Sequence, residues 1–190
     1  MNTVITSKEA ILDKSRQLVT QQGWSAVNIR SVAAACGVSV GSIYNYFTSK
    51  SDLITATVES IWRDIFHFSE RETRFEHFSE CVDWIFDSMK KGSENYPGFF
   101  SSHSMHFLSG DKTDGQQMMA QSWQHIQMEL LSVLEGDSAV RPDAFDQTFT
   151  PQKFVELIFS LIVSALLRQN YDSGSVMQLI DRVIYYTHDR

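Results

Sequence analysis

The chain has 190 residues, with 16 Lys+Arg against 23 Asp+Glu, a formal net charge of -7 and a hydrophobic fraction of 43%. These values describe a globular protein of one domain, or of a small domain joined to a medium one, and exclude collagen-like, disordered and disulfide-scaffold classes. Only two cysteines (Cys36 and Cys81), no apolar run long enough to cross a bilayer and no basic-then-apolar leader predict a cytoplasmic protein that does not span a membrane.

An acidic total argues against nucleic acid, because affinity for phosphates comes from Lys and Arg. The charge is uneven, however. Residues 1–50 carry Lys8, Lys14, Arg16, Arg30 and Lys50 against Glu9 and Asp13, a net of +3, which leaves -10 on the other 140 residues. The head is no polybasic patch, yet such asymmetry points to two jobs along one chain.

The prolines stand at 97, 142 and 151, so the first 96 residues hold no obligatory helix breaker. No strand-like alternation or internal repeat occurs, and the class expected is all-α, with about nine helices. Thr6-Ser7-Lys8-Glu9 reads as a capping box, followed by the stripe Ile11, Ser15, Leu18, Val19 and Gln22 and ended by Gly23. Asn28 caps a second helix that Gly37 terminates, and Ser39 caps a third from Val40 to Phe47. Ser49-Lys50-Ser51-Asp52 opens a fourth, longer helix with apolar positions at Ile54, Val58, Ile61, Ile65 and Phe68. A fifth is expected at about 74–91, closed by Gly92, and a short sixth near 99–108. Residues 109–115 read as a loop by composition. A seventh helix runs to about Glu135, and 136–150 as an irregular connection. Thr150-Pro151 is a cap with proline at the first helical position, opening a helix to about Gln169, and the last helix spans roughly 175–188.

Two short helices joined at Gly37-Val38-Ser39 form the helix-turn-helix arrangement, spanning about residues 28–47. At about 100° per residue, Val40, Ile43 and Phe47 fall on one side, suited to a core. Gly41, Ser42 and Asn45 lie opposite, flanked by Tyr44 and Tyr46. This outward face is small, polar and uncharged, so it approaches base edges without desolvating an ion. Asn45 suits an adenine edge and Ser42 either kind of base. The tyrosine hydroxyls, Lys50 and the amides near Asn28 suit phosphate oxygens.

The run from Gly23 through Asn28-Ile29-Arg30-Ser31-Val32-Ala33, Cys36-Gly37-Val38-Ser39-Val40-Gly41-Ser42-Ile43-Tyr44-Asn45-Tyr46-Phe47 and Ser49-Lys50-Ser51-Asp52-Leu53 closely resembles the N-terminal signature of the TetR family of transcriptional regulators. The resemblance is dense over about residues 8–60. It implies that Tyr44 and Lys50 touch the phosphate backbone, that Gly41, Ser42, Asn45 and Tyr46 face the groove, and that Ile43 and Phe47 are core. Asn28, Arg30 and Ser39 complete the candidate DNA-contact set. Asn28 stands where the family usually has Thr, which keeps the capping role, and Val40 where a basic residue is frequent. The division this suggests is a DNA-binding domain at 1–50 and an effector-binding and dimerisation domain at 51–190.

Between residues 60 and 130 lie twelve aromatics and five methionines. Most are core side chains. A domain resembling the family's would enclose an apolar or aromatic small-molecule effector here, with Trp62, Phe66, Trp84, Met89, His103 and Trp123 as candidate lining. From Phe154 to Leu167, 11 of 14 residues are apolar and the one charge is Glu156, so this helix needs cover on all sides. With the last helix it forms a candidate homodimer interface over about 151–188, as the resemblance also implies. The alternative is an ordinary internal hairpin.

Taken together, the expectation is a homodimeric repressor of double-stranded operator DNA, released from a palindromic site by an effector, with no cofactor, no metal and no catalytic role. The competing reading is a helical small-molecule-binding or haem- or metal-sensing protein in which the head is secondary. His103 with His106, and His125 with Glu129, are its candidate ligands, but no HExxH or paired-Cys spacing supports it. Nor does any GxSxG, P-loop or dinucleotide fingerprint occur.

Overall fold

A computed structural model describes residues 7–66, 75–100 and 114–185, with side chains from 123 onward in the last segment. Among these residues are eight α-helices, one 3-10 turn and no strand: α1 (Lys8–Gln22), the turn Trp24–Ala26, α2 (Ile29–Cys36), α3 (Val40–Tyr44), α4 (Lys50–Phe66), α5 (Phe78–Asn95), α6 (Asp114–Gly136), α7 (Pro151–Arg168) and α8 (Gly174–Ile184). The all-α expectation holds. Thr6, the greater part of the helix expected near 99–108, and His103 and His106 lie outside the described residues.

The chain forms two compact units, Met1–Glu70 with Lys91–Gly110, and Arg71–Lys90 with Asp111–Arg190. In the first, α1 starts at Ser7, whose hydroxyl accepts the Ala10 amide at 3.1 Å, one residue later than the Thr6 cap expected. Ile11, Val19, Val32, Ile43, Phe47, Leu53 and Ile61 are fully or almost fully buried and make a shared core for α1–α4. Each such side chain contributes about 1.5–3 kcal/mol on burial. Ser15 also faces inward, because its hydroxyl donates back to the Ile11 carbonyl at 2.9 Å.

Residues 96–100 belong to the same unit and are held by both the head and α4. The Trp24 amide donates to the Pro97 carbonyl at 3.1 Å, and the Trp24 ring meets Phe99 edge-on at 5.6 Å. The Tyr96 hydroxyl donates to Asp64 at 2.6 Å, and Arg16 of α1 donates to Ser60 of α4. Gly92 does not end α5, as the sequence had suggested, but lies inside it. A Cβ there would stand 2.8 Å from Ile65 Cδ1, so the missing side chain lets the two helices come together.

In the second unit, α5 begins at Phe78 and not near residue 74, because its first amide is capped from elsewhere in the unit by Asp137, at 2.8 Å. Asp114 and Gly115, expected in a loop, are the first residues of α6. Thr150 caps α7 through the Lys153 amide with Pro151 at the first position, as expected, and Gln169 closes it at φ 52. Burial pushes the Cys81 thiol up to about 12, with the Glu129 charge adding, which marks it as a packing residue. Val82, Ile85, Phe86 and Met89 of α5, Leu130 and Leu134 of α6, Phe154, Ile158 and Ile162 of α7, and Ile180 and Ile184 of α8 fill the core. Helix α7 is apolar nearly all round but is not covered all round within this chain: Leu157 and Leu167 are 56% and 58% exposed.

Candidate nucleic-acid interface

Three caps at successive joints build the helix-turn-helix. At the first, Asn28 Oδ1 accepts the Arg30 and Ser31 amides at 3.0 and 3.1 Å, while Ser31 Oγ accepts the Asn28 amide at 3.0 Å. This reciprocal box fixes the start of α2. It also corrects an expectation, since the amides of Asn28, Arg30 and Ser31 are engaged within the protein and are not free for a phosphate oxygen. Gly37 then leaves α2 in the left-handed region at φ 66, where a Cβ is disfavoured. At the second joint Ser39 Oγ accepts the Ser42 amide at 3.1 Å and pairs with Ser42 Oγ at 2.9 Å. At the third, Ser49 Oγ accepts the Asp52 amide at 3.0 Å and Asp52 Oδ2 accepts the Thr48 amide at 2.7 Å, which sets Lys50 at the first position of α4.

Helix α3 is shorter than the Val40–Phe47 span expected. It ends at Tyr44, and Phe47 turns inward through its own amide, which donates to the Ile43 carbonyl at 3.1 Å. Ile43 and Phe47 are fully buried, and Lys8 Nζ stands 5.4 Å from the Phe47 ring centroid. Val40 departs from the core side assigned to it, being 39% exposed. It occupies the first position of a five-residue helix, so no preceding turn exists for its side chain to pack on, and its Cβ tilts toward the open N-terminus. Sequence periodicity places residues around a helix and is blind to such end effects.

The face that results is continuous in sequence. Ser39, Val40, Gly41, Tyr44, Asn45 and Tyr46 are exposed, Ser42 is half-buried beside them, and Arg30 and Lys50 are exposed on α2 and at the start of α4. From Lys14 to Ser51 the chain contains no Asp or Glu. Of the four cations in that stretch, Arg16 is tied to Ser60 and Asp13, and Lys14 to Gln17. Chemically, this is a surface of neutral donors and acceptors with a cation on either element beside it. The chemistry of such a surface suits phosphate oxygens at its edge and base edges at its centre.

The other sequence-selected residues fall in both units. In the first, Trp62 stacks on Phe66 at 5.4 Å and meets Phe99 and Phe100 at 5.8 and 5.6 Å. In the second, Trp84 lies 5.7 Å from Phe75, Trp123 lies 5.8 Å from Phe159, and Met89 is buried. His125 and Glu129 are exposed on α6. Among the described residues no group of three His, Cys, Asp or Glu side chains is placed to hold a metal ion, and no helix is long and apolar enough to cross a membrane.

Residues 11–57 match the sequence profile of the bacterial regulatory proteins, tetR family. The chain carries the DNA-binding head of a TetR-family transcriptional regulator. The matched segment runs from the core of α1 through the helix-turn-helix to the middle of α4. Along more of its length, the regulator is 22% identical over 171 residues to the nucleoid occlusion factor SlmA of Haemophilus ducreyi, covering 80% of this chain and 85% of that protein. Among solved structures, the transcriptional regulator FadR from Bacillus subtilis, in complex with stearoyl-CoA, matches with a TM-score of 0.66 at 17% identity, over 92% of this chain and 97% of that one. BioQ with its double-stranded DNA operator matches at 0.56 and 15% identity, over 94% and 98%. At these identities the structural likeness is one of fold.

Proposed function

We propose that the regulator is a homodimeric, cytoplasmic repressor that binds a near-palindromic operator and leaves it when a small molecule binds. The observation that carries this reading is the exposed, carboxylate-free face of α3 between Arg30 and Lys50. In it Tyr44 and Lys50 hold phosphates, with Asn28, Arg30 and Ser39 beside them. Gly41, Ser42, Asn45 and Tyr46 meet base edges. The operator bound by BioQ is consistent with this use of the same fold.

Dimerisation is supported by apolar surface that one chain leaves uncovered. Leu157 and Leu161 stand one turn apart on α7, Leu179 lies on α8, and all three are exposed. A second copy related by a two-fold axis covers them and sets two heads about one helical turn apart on DNA. The effector is apolar or aromatic: the partly exposed Trp84 and Trp123 of the second unit offer ring faces, and the fold holds stearoyl-CoA in FadR. It acts only in so far as it binds the released state more tightly than the DNA-bound one. No catalytic step is assigned to any residue.

Selection of bound duplexes from a random pool tests the reading, and should enrich a site with two inverted half-sites. Leu157→Glu with Leu161→Glu should give a folded monomer by sedimentation that binds one half-site weakly. A monomeric wild type, or enrichment of a single unrepeated site, would refute the dimeric repressor.

A further inference from the structure

The first position of the recognition helix carries a side chain that neither the core nor the phosphate backbone accounts for. Val40 is 39% exposed, its side chain has no donor for a phosphate oxygen, and it shares a helix face with Tyr44 four residues on, itself 49% exposed. Next to it Gly41 presents no side chain, and a Cβ there would meet only Ser39 Oγ, at 3.6 Å. The Ser39 and Ser42 hydroxyls are turned to one another at 2.9 Å. The beginning of α3 therefore offers one branched apolar group beside a gap, bordered by hydroxyls already paired.

When a recognition helix enters the major groove, its N-terminal residues reach the base edges. Four bases present donors and acceptors there, and one apolar group, the C5-methyl of thymine. A valine left facing donors and acceptors would dehydrate them without return, whereas against a methyl it gains contact and buries apolar area. We propose that Val40 is a specificity-determining residue that selects a thymine in each half-site through its C5-methyl group. This rests on the DNA-binding reading of the head and adds a base preference to it.

Deoxyuridine removes that methyl and leaves every hydrogen-bonding group in place. The experiment takes the site enriched by the wild-type regulator, replaces each thymine in turn by deoxyuridine, and measures binding by mobility shift. The expected result is one thymine per half-site at which replacement weakens the wild type about three- to fivefold. Val40→Ser should lose a similar factor on the thymine site and be indifferent to deoxyuridine at that position. Val40→Thr, which keeps one methyl, should retain part of the preference. An unchanged thermal midpoint for both variants is expected from the exposure of residue 40 and excludes misfolding as the cause. Uniform indifference of the wild type to deoxyuridine, or a Val40→Ser variant as sensitive as wild type, would overturn the proposal. A pool from which no sequence is enriched would remove the DNA reading itself, and this inference with it.

Discussion

The buried Asp137 carboxylate accepts the Tyr185 hydroxyl at 2.5 Å, joining the end of α6 to the residue that follows α8. The same carboxylate accepts the Phe78 amide at 2.8 Å and the Ala139 amide at 2.9 Å, and stands 3.2 Å from His77 Nδ1. Burial alone would raise its pKa, but the hydrogen bonds from Tyr185, Phe78, Ala139 and His77 outweigh that and hold it below the usual carboxylate range. Burial, and then the bond to Asp137, push the Tyr185 phenol up to about 12.

Asp137→Ala should therefore destabilise the protein by about 3 kcal/mol, because it strands two amides and a phenol. Tyr185→Phe, which removes one donor and leaves the carboxylate its other partners, should lose about 1 kcal/mol. Urea unfolding followed by circular dichroism measures both. Equal effects would mean that Asp137 does nothing beyond holding Tyr185.

The same cluster gives a pH dependence with a definite sign. His77 is raised above 6.5, first by its hydrogen bond to Asp137, against some desolvation, and then by the charges of Asp137, Glu80 and Glu76. A raised histidine contributes stability that is complete below its unfolded value and disappears as pH rises through its folded one. Asp137, lowered from 3.8, contributes above that value and loses its effect as pH falls. The thermal midpoint of wild type minus that of His77→Asn should thus be largest at about pH 5–6 and shrink by about pH 8. A difference that grows toward alkaline pH would contradict the assignment.

Gly92→Ala tests the close approach of α5 and α4. The added methyl would lie within 3.1 Å of three atoms of Ile65, so overpacking of about 2 kcal/mol should exceed the gain of about 1 kcal/mol in helix propensity. Combined with Ile65→Val, which removes the nearest of those atoms, the substitution should be milder than the sum of the two alone. Simple additivity in denaturant unfolding would show that Ile65 does not set the spacing.

What the sequence reveals depends on how local the cause is. Asn28, Ser39 and Thr150 accept amides two or three residues on, and Gly37 donates back to the Ala33 and Ala34 carbonyls, so each is legible as a cap in the sequence. Gly92 looked the same in sequence, yet its reason lies in Ile65, 27 residues away and on another helix. Asp137 gave no signal as the cap of a helix beginning 59 residues earlier. At the interface, the pattern separated Ile43 and Phe47 from Tyr44 and Asn45 correctly, but misplaced Val40 because a five-residue helix is nearly all ends. The aromatic side chains of the body could be counted but not sorted, since residues with one composition serve as core and as lining alike.

Every proposed role of this protein depends on the head as a DNA reader. Its most direct test is the affinity of the wild type, Tyr44→Ala and Lys50→Ala for a labelled selected site over a range of salt. Each variant, checked for native helicity, should bind at least about tenfold more weakly, and Lys50→Ala should also lower the salt slope by about 0.9 per subunit through the loss of one phosphate contact. If both variants bind like wild type with an unchanged slope, the face formed by α3 and the start of α4 is not the surface that holds DNA.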